Sequence, residues 1–198
     1  MAERCWTTAR LNDTITQNSS TGSGGGINNV ARNLVVTNCT IVNNTTGSAG
    51  GGTFNGQTAT INNSIVAENT TTAAAPSDLA GNSFSGSNNL IGDGSGGLSS
   101  SNHNLLGSTS SLLNPKLGSL SNNGGPTLTT MPLSGSPVID VGSNLLVPTG
   151  ITTDQRGYAR IFNGTVDIGA VEFGASLSPA LTSATAPQTV PSAARRRS

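Results

Sequence analysis

The feature that most constrains the fold is an imperfect repeat of about 25 residues in the first third of the chain. Three segments align without a gap: residues 12–18 (NDTITQN), 38–44 (NCTIVNN) and 63–69 (NSIVAEN). Asparagine occupies their first and last columns, and an apolar column between them holds Ile15, Ile41 and Val66. A fixed period of this size is typical of a solenoid with one repeat per coil. The repeat predicts a parallel β-helix, whose equivalent residues stack about 4.8 Å apart.

Within each repeat the side chains alternate with period two, as in a strand. Leu34 and Val36 alternate with Val35 and Thr37, so alternate residues face inward. Threonine, valine and isoleucine are common, and all three favour strands. Asparagine tolerates left-handed turn geometry, and stacked asparagines can hydrogen-bond from coil to coil. We therefore expect residues 11–111 to form parallel β-helix coils, the last of them irregular.

The core of a parallel β-helix is a narrow column of small and β-branched side chains. The composition agrees with such a core, because only 9% of the residues are charged and 3% are aromatic. The alternative for residues 1–75 is a Ser/Thr/Gly/Asn-rich linker, which needs no aligned columns. Arg10 falls in the inward column of Val36 and Ile61. We therefore expect residues 1–10 to be an irregular start or a truncated coil, and favour a C-terminal piece of a longer solenoid.

Candidate metal and thiol chemistry is sparse. Cys39 aligns with Asp13 and Ser64, so it is interpreted as an ordinary small residue; a disulfide with Cys5 has no support from spacing. Asp93 stands among glycines and is either a turn residue or a calcium ligand. A single histidine rules out a zinc site of recognisable spacing. We predict no catalytic residue, no metal site and no cofactor.

Four ordered motifs set the C-terminal third apart. They are residues 122–127 (NNGGPT), 135–142 (GSPVIDVG), 153–157 (TDQRG) and 166–172 (VDIGAVE). Together they resemble the choice-of-anchor Q domain, which in bacterial surface proteins commonly follows right-handed parallel β-helix repeats of pectin-lyase-like type. Residues 89–94 (NLIGDG) are similar to the segment that precedes that domain, and the glycine-rich repeats resemble those of chlamydial polymorphic membrane proteins. The resemblance implies a fold and a surface or secreted setting, and no reaction.

The expected architecture is all-β, a right-handed parallel β-helix solenoid with a C-terminal β capping module over residues 112–174. Residues 175–198 are rich in Ser, Ala, Pro and Thr and end in three arginines, which predicts a disordered tail. A bacterial sorting tail is the alternative, although the apolar helix of such tails is missing. There is neither an apolar run of 18 residues nor a signal-peptide h-region.

Charges are concentrated in the C-terminal motifs, at Asp140, Asp154, Arg156, Asp167 and Glu172. A charge within an apolar strand is costly unless it is paired, and the planar guanidinium of arginine binds carboxylates bidentately. We predict that Arg156 bridges Asp140 and Asp167. The alternative is a paired-carboxylate active site as in glycosidases.

Two classes of function remain. The first is a non-catalytic, adhesin-like or structural stalk protein, extracellular or at the cell surface, that binds glycans through Asn, Ser and Thr side chains. The second is a polysaccharide-active enzyme. Residues 11–70 carry only Asp13, Glu68 and Arg32 as charged groups, in different columns, which favours the first class. We expect a monomer with no membrane span, and no nucleic-acid partner, because a basic patch is missing apart from the tail.

Overall fold

The computed structural model describes residues 7–176 and is all-β, as predicted. Its strands are β1 (Thr7–Leu11), β2 (Thr14–Thr16), β3 (Ser19–Ser20), β4 (Ile27–Asn29), β5 (Asn33–Thr37), β6 (Thr40–Val42), β7 (Thr45–Thr46), β8 (Thr53–Asn55), β9 (Thr58–Asn62), β10 (Ile65–Ala67), β11 (Thr70–Thr71), β12 (Leu79–Gly81), β13 (Phe84–Ser85), β14 (Leu90–Ile91) and β15 (Leu105–Leu106). Two short 3-10 helices cover Ser100–Asn102 and Asn144–Leu146. In the described part of the chain, neither helix has the length to cross a membrane.

The strands wind into a parallel β-solenoid. One sheet contains β1, β5, β9 and β13, and we call it the open sheet. A second contains β2, β6, β10, β14 and β15, and we call it the covered sheet. The remaining strands form the sheets β3-β7-β11 and β4-β8-β12. Each of the first three coils therefore adds one strand to each sheet, and β13 to β15 begin further, shorter coils.

The predicted register is confirmed. Ile15 pairs with Ile41, and Ile41 pairs with Val66, so the apolar column of the alignment is vertical. Ile41 and Val66 belong to an interior cluster that also holds the fully buried Val36 and Ile61, and the half-buried Ile15 packs against it. Burying this row of β-branched side chains removes apolar surface from water, which is the main stabilising contribution of the solenoid interior.

Arg10 is accommodated because it lies in the first described coil. It pairs with Val36 in register, yet it is exposed. Its coil has a partner on one side only among the described strands. Together with Ile15 and Leu34 it lines an open cavity of about 620 Å³ at this end. An inward-facing position is thus next to solvent here, and the guanidinium stays hydrated.

A second apolar cluster lies outside the solenoid, on the covered sheet. Ile65 and Leu90 of this sheet pack with Val138 and Ile168 of the C-terminal region, and all four are 1% exposed or less. The middle strands of the covered sheet, β6, β10 and β14, are therefore buried on both faces. This explains why β10 is apolar throughout (Ile65–Ala67) instead of alternating with polar residues.

The C-terminal region has little regular structure and packs along the side of the solenoid. Its backbone forms isolated antiparallel bridges, such as Ser121 with Thr129 and Thr153 with Ala159, and single hydrogen bonds to the solenoid, such as Gly169 N to Asn63 O. Gly169 fits against the covered sheet, where an added Cβ would lie 2.9 Å from both Ile65 Cδ1 and Thr40 Oγ1. The boundaries 112 and 174 stay predictions, and the predicted tail lies outside the described residues from residue 177 onward.

Candidate functional site

One asparagine column is a hydrogen-bonded ladder that is buried except at its first member, Asn18. Asn18 Nδ2 donates to Asn44 Oδ1, and Asn44 Nδ2 donates to Asn69 Oδ1, each over 2.9 Å. Asn69 Nδ2 then donates to Asp78 Oδ1, also over 2.9 Å. The predicted stacking of residues 18, 44 and 69 is confirmed. Asp78 Oδ1 accepts from both N and Nδ2 of Asn69 and takes the place of a further asparagine, so Asp78 ends the ladder.

The other asparagine column anchors the C-terminal region. Asn12, Asn38, Asn63 and Asn88 all have left-handed backbones, with φ of 52°, 51°, 45° and 54°. Residues 141–153, which we call the strap, run along this column. Nδ2 of Asn88 donates to Val141 O, that of Asn63 to Ser143 O and that of Asn12 to Thr153 O. The strap therefore spans the solenoid from its fourth coil to its first.

Asn38 is the exception in this column. Its side chain is fully buried, and neither of its amide atoms has a hydrogen-bond partner among the described residues. Burial of an unpaired amide costs about 1–3 kcal/mol. Its neighbours Asn12 and Asn63 both reach the strap, so the missing contact is confined to the second coil.

Asp154 forms the centre of the C-terminal motifs. Its carboxylate lies 2.7 Å from Arg156 Nη2, and it also accepts hydrogen bonds from the backbone N–H of Arg156, Tyr158 and Glu172. Arg156 Nη2 donates in addition to Glu172 O. Three of these four donors to Asp154 belong to Arg156 and Tyr158 of the same turn, so the turn folds onto its own carboxylate.

The prediction that Arg156 bridges Asp140 and Asp167 is wrong. The only ion-pair partner of Arg156 in the described region is Asp154, because the tight turn brings residues two apart into bidentate contact. Sequence reasoning also missed Arg160, which is 1% exposed and pairs with Glu172 at 2.7 Å. Arg160 lies four residues after Arg156 in a chain with few charges, and this position indicates that it too pairs with a carboxylate of the C-terminal motifs.

Asp140, Asp167 and Glu172 lie close together, with a ligand atom from each within 4.8 Å of the others. Both oxygens of Asp167 accept backbone hydrogen bonds, from Asp140 N and Phe173 N. Glu172 accepts from Phe162 N, from Asp167 N and from Arg160. The oxygens of Asp167 and Glu172 already have donors, so these two side chains hold the turns together and have little coordination capacity left for a cation such as calcium.

Burial shifts the acidity of this cluster. Removal from water raises the pKa of Asp167 above its ordinary value, although backbone hydrogen bonds from Phe173 and Asp140 oppose the shift. Burial likewise raises the pKa of Glu172 to about 7, against the opposing charge of Arg160. Desolvation outweighs ion pairing here because both side chains are fully buried.

Asp78 and Asp93 form a second buried carboxylate pair, at the end of the solenoid. Asp93 N donates to Asp78 Oδ2 over 2.8 Å, and Asp78 N donates to Asp93 Oδ2 over 2.9 Å. Asp93 Oδ1 accepts from Ser95 N. Asp93 thus caps a turn, one of its two predicted roles. Sequence reasoning missed Asp78, because it comes only nine residues after Asn69 and falls outside the repeat spacing.

The remaining candidate residues are dispersed. Cys39 is fully buried, its thiol donates to Thr37 O, and burial raises its pKa to about 12, so it is a poor nucleophile. Cys5 lies outside the described residues. Glu68 accepts from Asn43 Nδ2, whereas Asp13 and Arg32 line the 620 Å³ cavity at the other end. The structure does not bring these three charged residues together.

The open sheet presents short polar side chains to solvent. Thr58 Oγ1 donates to Asn33 Oδ1 over 2.5 Å, and Thr60 Oγ1 lies 3.0 Å from Ser85 Oγ. Thr58 and Ser85 are exposed, and Asn33 and Thr60 are half-buried. These residues belong to successive coils, so their hydroxyl and amide groups repeat at the strand spacing of about 4.8 Å.

Comparison of the chain with protein families, curated proteins and solved structures found no match. The resemblance to the choice-of-anchor Q domain therefore stays a prediction, while the parallel β-solenoid follows from the strand pairing.

Proposed function

We propose that the chain is a non-catalytic cell-surface or secreted protein, a structural stalk or adhesin-like module with pectin-lyase-like coils and a choice-of-anchor Q-like C-terminal module. One observation carries this proposal. Each buried carboxylate of the described region accepts at least two backbone hydrogen bonds; they are Asp78, Asp93, Asp154, Asp167 and Glu172. A carboxylate held in this way stabilises turns, whereas glycoside hydrolysis needs two carboxyl groups that face a substrate.

The way the solenoid is braced supports a structural role. The ladder from Asn18 to Asp78 joins three coils inside the solenoid, and the strap joins coils along its side. A second apolar cluster, around Ile65 and Ile168, fixes the C-terminal region to the covered sheet. These contacts suit a stalk that must keep a constant shape, because the ladder, the strap and the second apolar cluster hold the coils together in addition to the strand pairing.

The open sheet is the surface on which we place glycan binding. Its hydroxyl and amide groups, at Asn33, Thr58, Thr60 and Ser85, can both donate to and accept from sugar hydroxyls. Each such hydrogen bond contributes little in water. Affinity per site is therefore low, and several coils must act together to hold a glycan chain.

A second candidate, a polysaccharide-active lyase or hydrolase, is favoured by one feature. Asp78 and Glu68 line a cavity of about 190 Å³ near the end of the solenoid, and burial raises the pKa of Asp78 to about 7, as expected of a general acid. The cavity is smaller than the roughly 300–1,000 Å³ of ordinary ligand pockets. Its walls include Leu112, Leu113 and Pro76, which leaves little room for a sugar.

Glycan-array binding with the full chain tests the first candidate. The double variant Thr58→Val and Thr60→Val removes hydroxyls from the open sheet, and Thr45→Val with Thr70→Val is the matched control on the sheet β3-β7-β11. We expect glycan binding that the first pair abolishes and the control pair keeps. Assays for reducing ends and unsaturated products on pectate and alginate, with and without calcium, are expected to show no turnover. Turnover that Asp78→Asn abolishes would favour the enzyme instead.

A further inference from the structure

The Asp78–Asp93 pair joins two turns that lie on successive coils of the solenoid. Asp78 lies just before β12 and is 2% exposed, and Asp93 follows β14 and is 6% exposed. The backbone N–H of each residue donates to the Oδ2 atom of the other, so both carboxyl groups lie in one buried site between the two turns. Two ionised carboxylates in one buried site repel each other.

Compensating positive charge is missing around the pair in the described part of the chain. Neither residue takes part in an ion pair there. The elements that pack against Asp78 are β8, the segment 67–69, the turn after β14 and residues 112–114; of these, only Glu68 and Asp93 carry titratable groups, and both are acidic. The donors that face the pair are instead neutral N–H groups of Asn69 and Ser95.

We propose that Asp78 and Asp93 form a proton-operated latch, in which one proton held by the pair keeps the two turns together and its loss lets them separate. Burial and the charge of Asp93 both raise the pKa of Asp78, to about 7, in agreement with this geometry. In any pair of interacting carboxyl groups, ionisation of one group disfavours ionisation of the other and separates the two steps.

Separation of the two turns affects the last coils of the solenoid and the segment that follows them. Asp78 ends the asparagine ladder through Asn69, so separation of the turns frees the ladder at this end. Gly92 O, one residue before Asp93, accepts from Leu113 N. Opening therefore also loosens the segment that leads from the solenoid into the C-terminal region.

Hydrogen exchange of the full chain, followed by mass spectrometry from pH 5 to 9, tests the latch. Rates for peptides covering residues 68–95 are divided by the intrinsic rates of an unstructured chain at each pH. An aspartate whose pKa is near 4 when exposed and near 7 in the closed turn raises the opening equilibrium constant about tenfold per pH unit up to pH 7. We expect that rise, followed by a plateau above pH 7.

Variants and a direct titration test whether Asp78 is the group that binds the proton. Asp78→Asn removes the proton-binding group and is expected to make the corrected exchange independent of pH in residues 68–95, whereas Asp140→Asn, at an exposed position, should keep the wild-type profile. If Asp78→Asn does not fold, a carbon-13 NMR titration of the wild-type aspartate carboxyl groups replaces it. A midpoint assigned to Asp78 that lies above about 6 supports the latch. An Asp78 midpoint below about 6, or a wild-type slope retained in Asp78→Asn, overturns it.

Discussion

Asp154 and Arg156 are two residues apart and form a buried ion pair, with Arg156 Nη2 2.7 Å from Asp154 Oδ2 and the two side chains 0% and 3% exposed. The same guanidinium donates to Glu172 O and lies 4.5 Å from the ring centroid of Tyr158. One arginine therefore connects the turn around Asp154 to the last described segment of the chain. The aromatic contact adds a cation–π interaction.

The first prediction concerns this arginine. Arg156→Ala leaves the buried Asp154 carboxylate without its cation, which typically costs about 3–5 kcal/mol of unfolding free energy. Urea unfolding followed by circular dichroism measures the loss. Arg10→Ala, at an exposed arginine, is the control and should change stability by no more than about 0.5 kcal/mol. Equal midpoints for wild type and Arg156→Ala would contradict a stabilising ion pair.

The second prediction concerns the asparagine ladder. Asn44→Ala removes the acceptor of Asn18 and the donor to Asn69 Oδ1, and it leaves Ile15 O without its Nδ2 donor. Unpaired buried groups cost about 1–3 kcal/mol each, so the variant should be destabilised by at least that amount. Asn18→Ala, at the exposed end of the ladder, should cost less. Equal losses in thermal unfolding would show that the ladder contributes no more inside than at its end.

The third prediction concerns pH. Asp78, Asp167 and Glu172 all have raised pKa values, of about 7 for Asp78 and Glu172. Between about pH 4 and pH 7 the folded state keeps protons that the unfolded state has lost. These groups therefore stabilise the fold fully below about pH 4, and this contribution is lost as the pH rises to about 7. Thermal unfolding should therefore occur at a higher temperature at pH 5 than at pH 8. Glu172→Gln should reduce this difference, and a melting temperature that rises from pH 5 to pH 8 would exclude the mechanism.

The fourth prediction concerns the contact between the C-terminal region and the covered sheet. Gly169 and Gly164 both have positive φ, of 114° and 92°, so alanine is strained at either position. A Cβ at residue 169 would also lie 2.9 Å from Ile65 Cδ1, whereas a Cβ at residue 164 would meet nothing within 4 Å. Gly169→Ala should therefore cost about 1–3 kcal/mol more than Gly164→Ala. Chemical unfolding of the two variants side by side measures the difference, and equal costs would place residue 169 away from the sheet.

The sequence by itself determined the coils, because stacking in a parallel solenoid is a local and periodic condition. Spacings of 26 and 25 residues bring Ile15, Ile41 and Val66 into one column, and the asparagines that allow left-handed turns recur with them. Equivalent residues then share the same environment from coil to coil. Columns, strand register and the inward face could therefore be derived from alignment alone.

Only the tertiary structure decided how the solenoid ends and what covers its side. Asp78 ends the ladder nine residues after Asn69, where the repeat spacing is lost. Asn63 reaches Ser143 across 80 residues, and Ala170 N reaches Thr40 across 130. No period in the sequence relates such pairs, so the partner of each polar group depends on how the C-terminal region folds against the coils. For the same reason Arg156 was assigned the wrong carboxylates: several candidates of similar chemistry were available, and only the path of the chain through space brings Asp154 within reach.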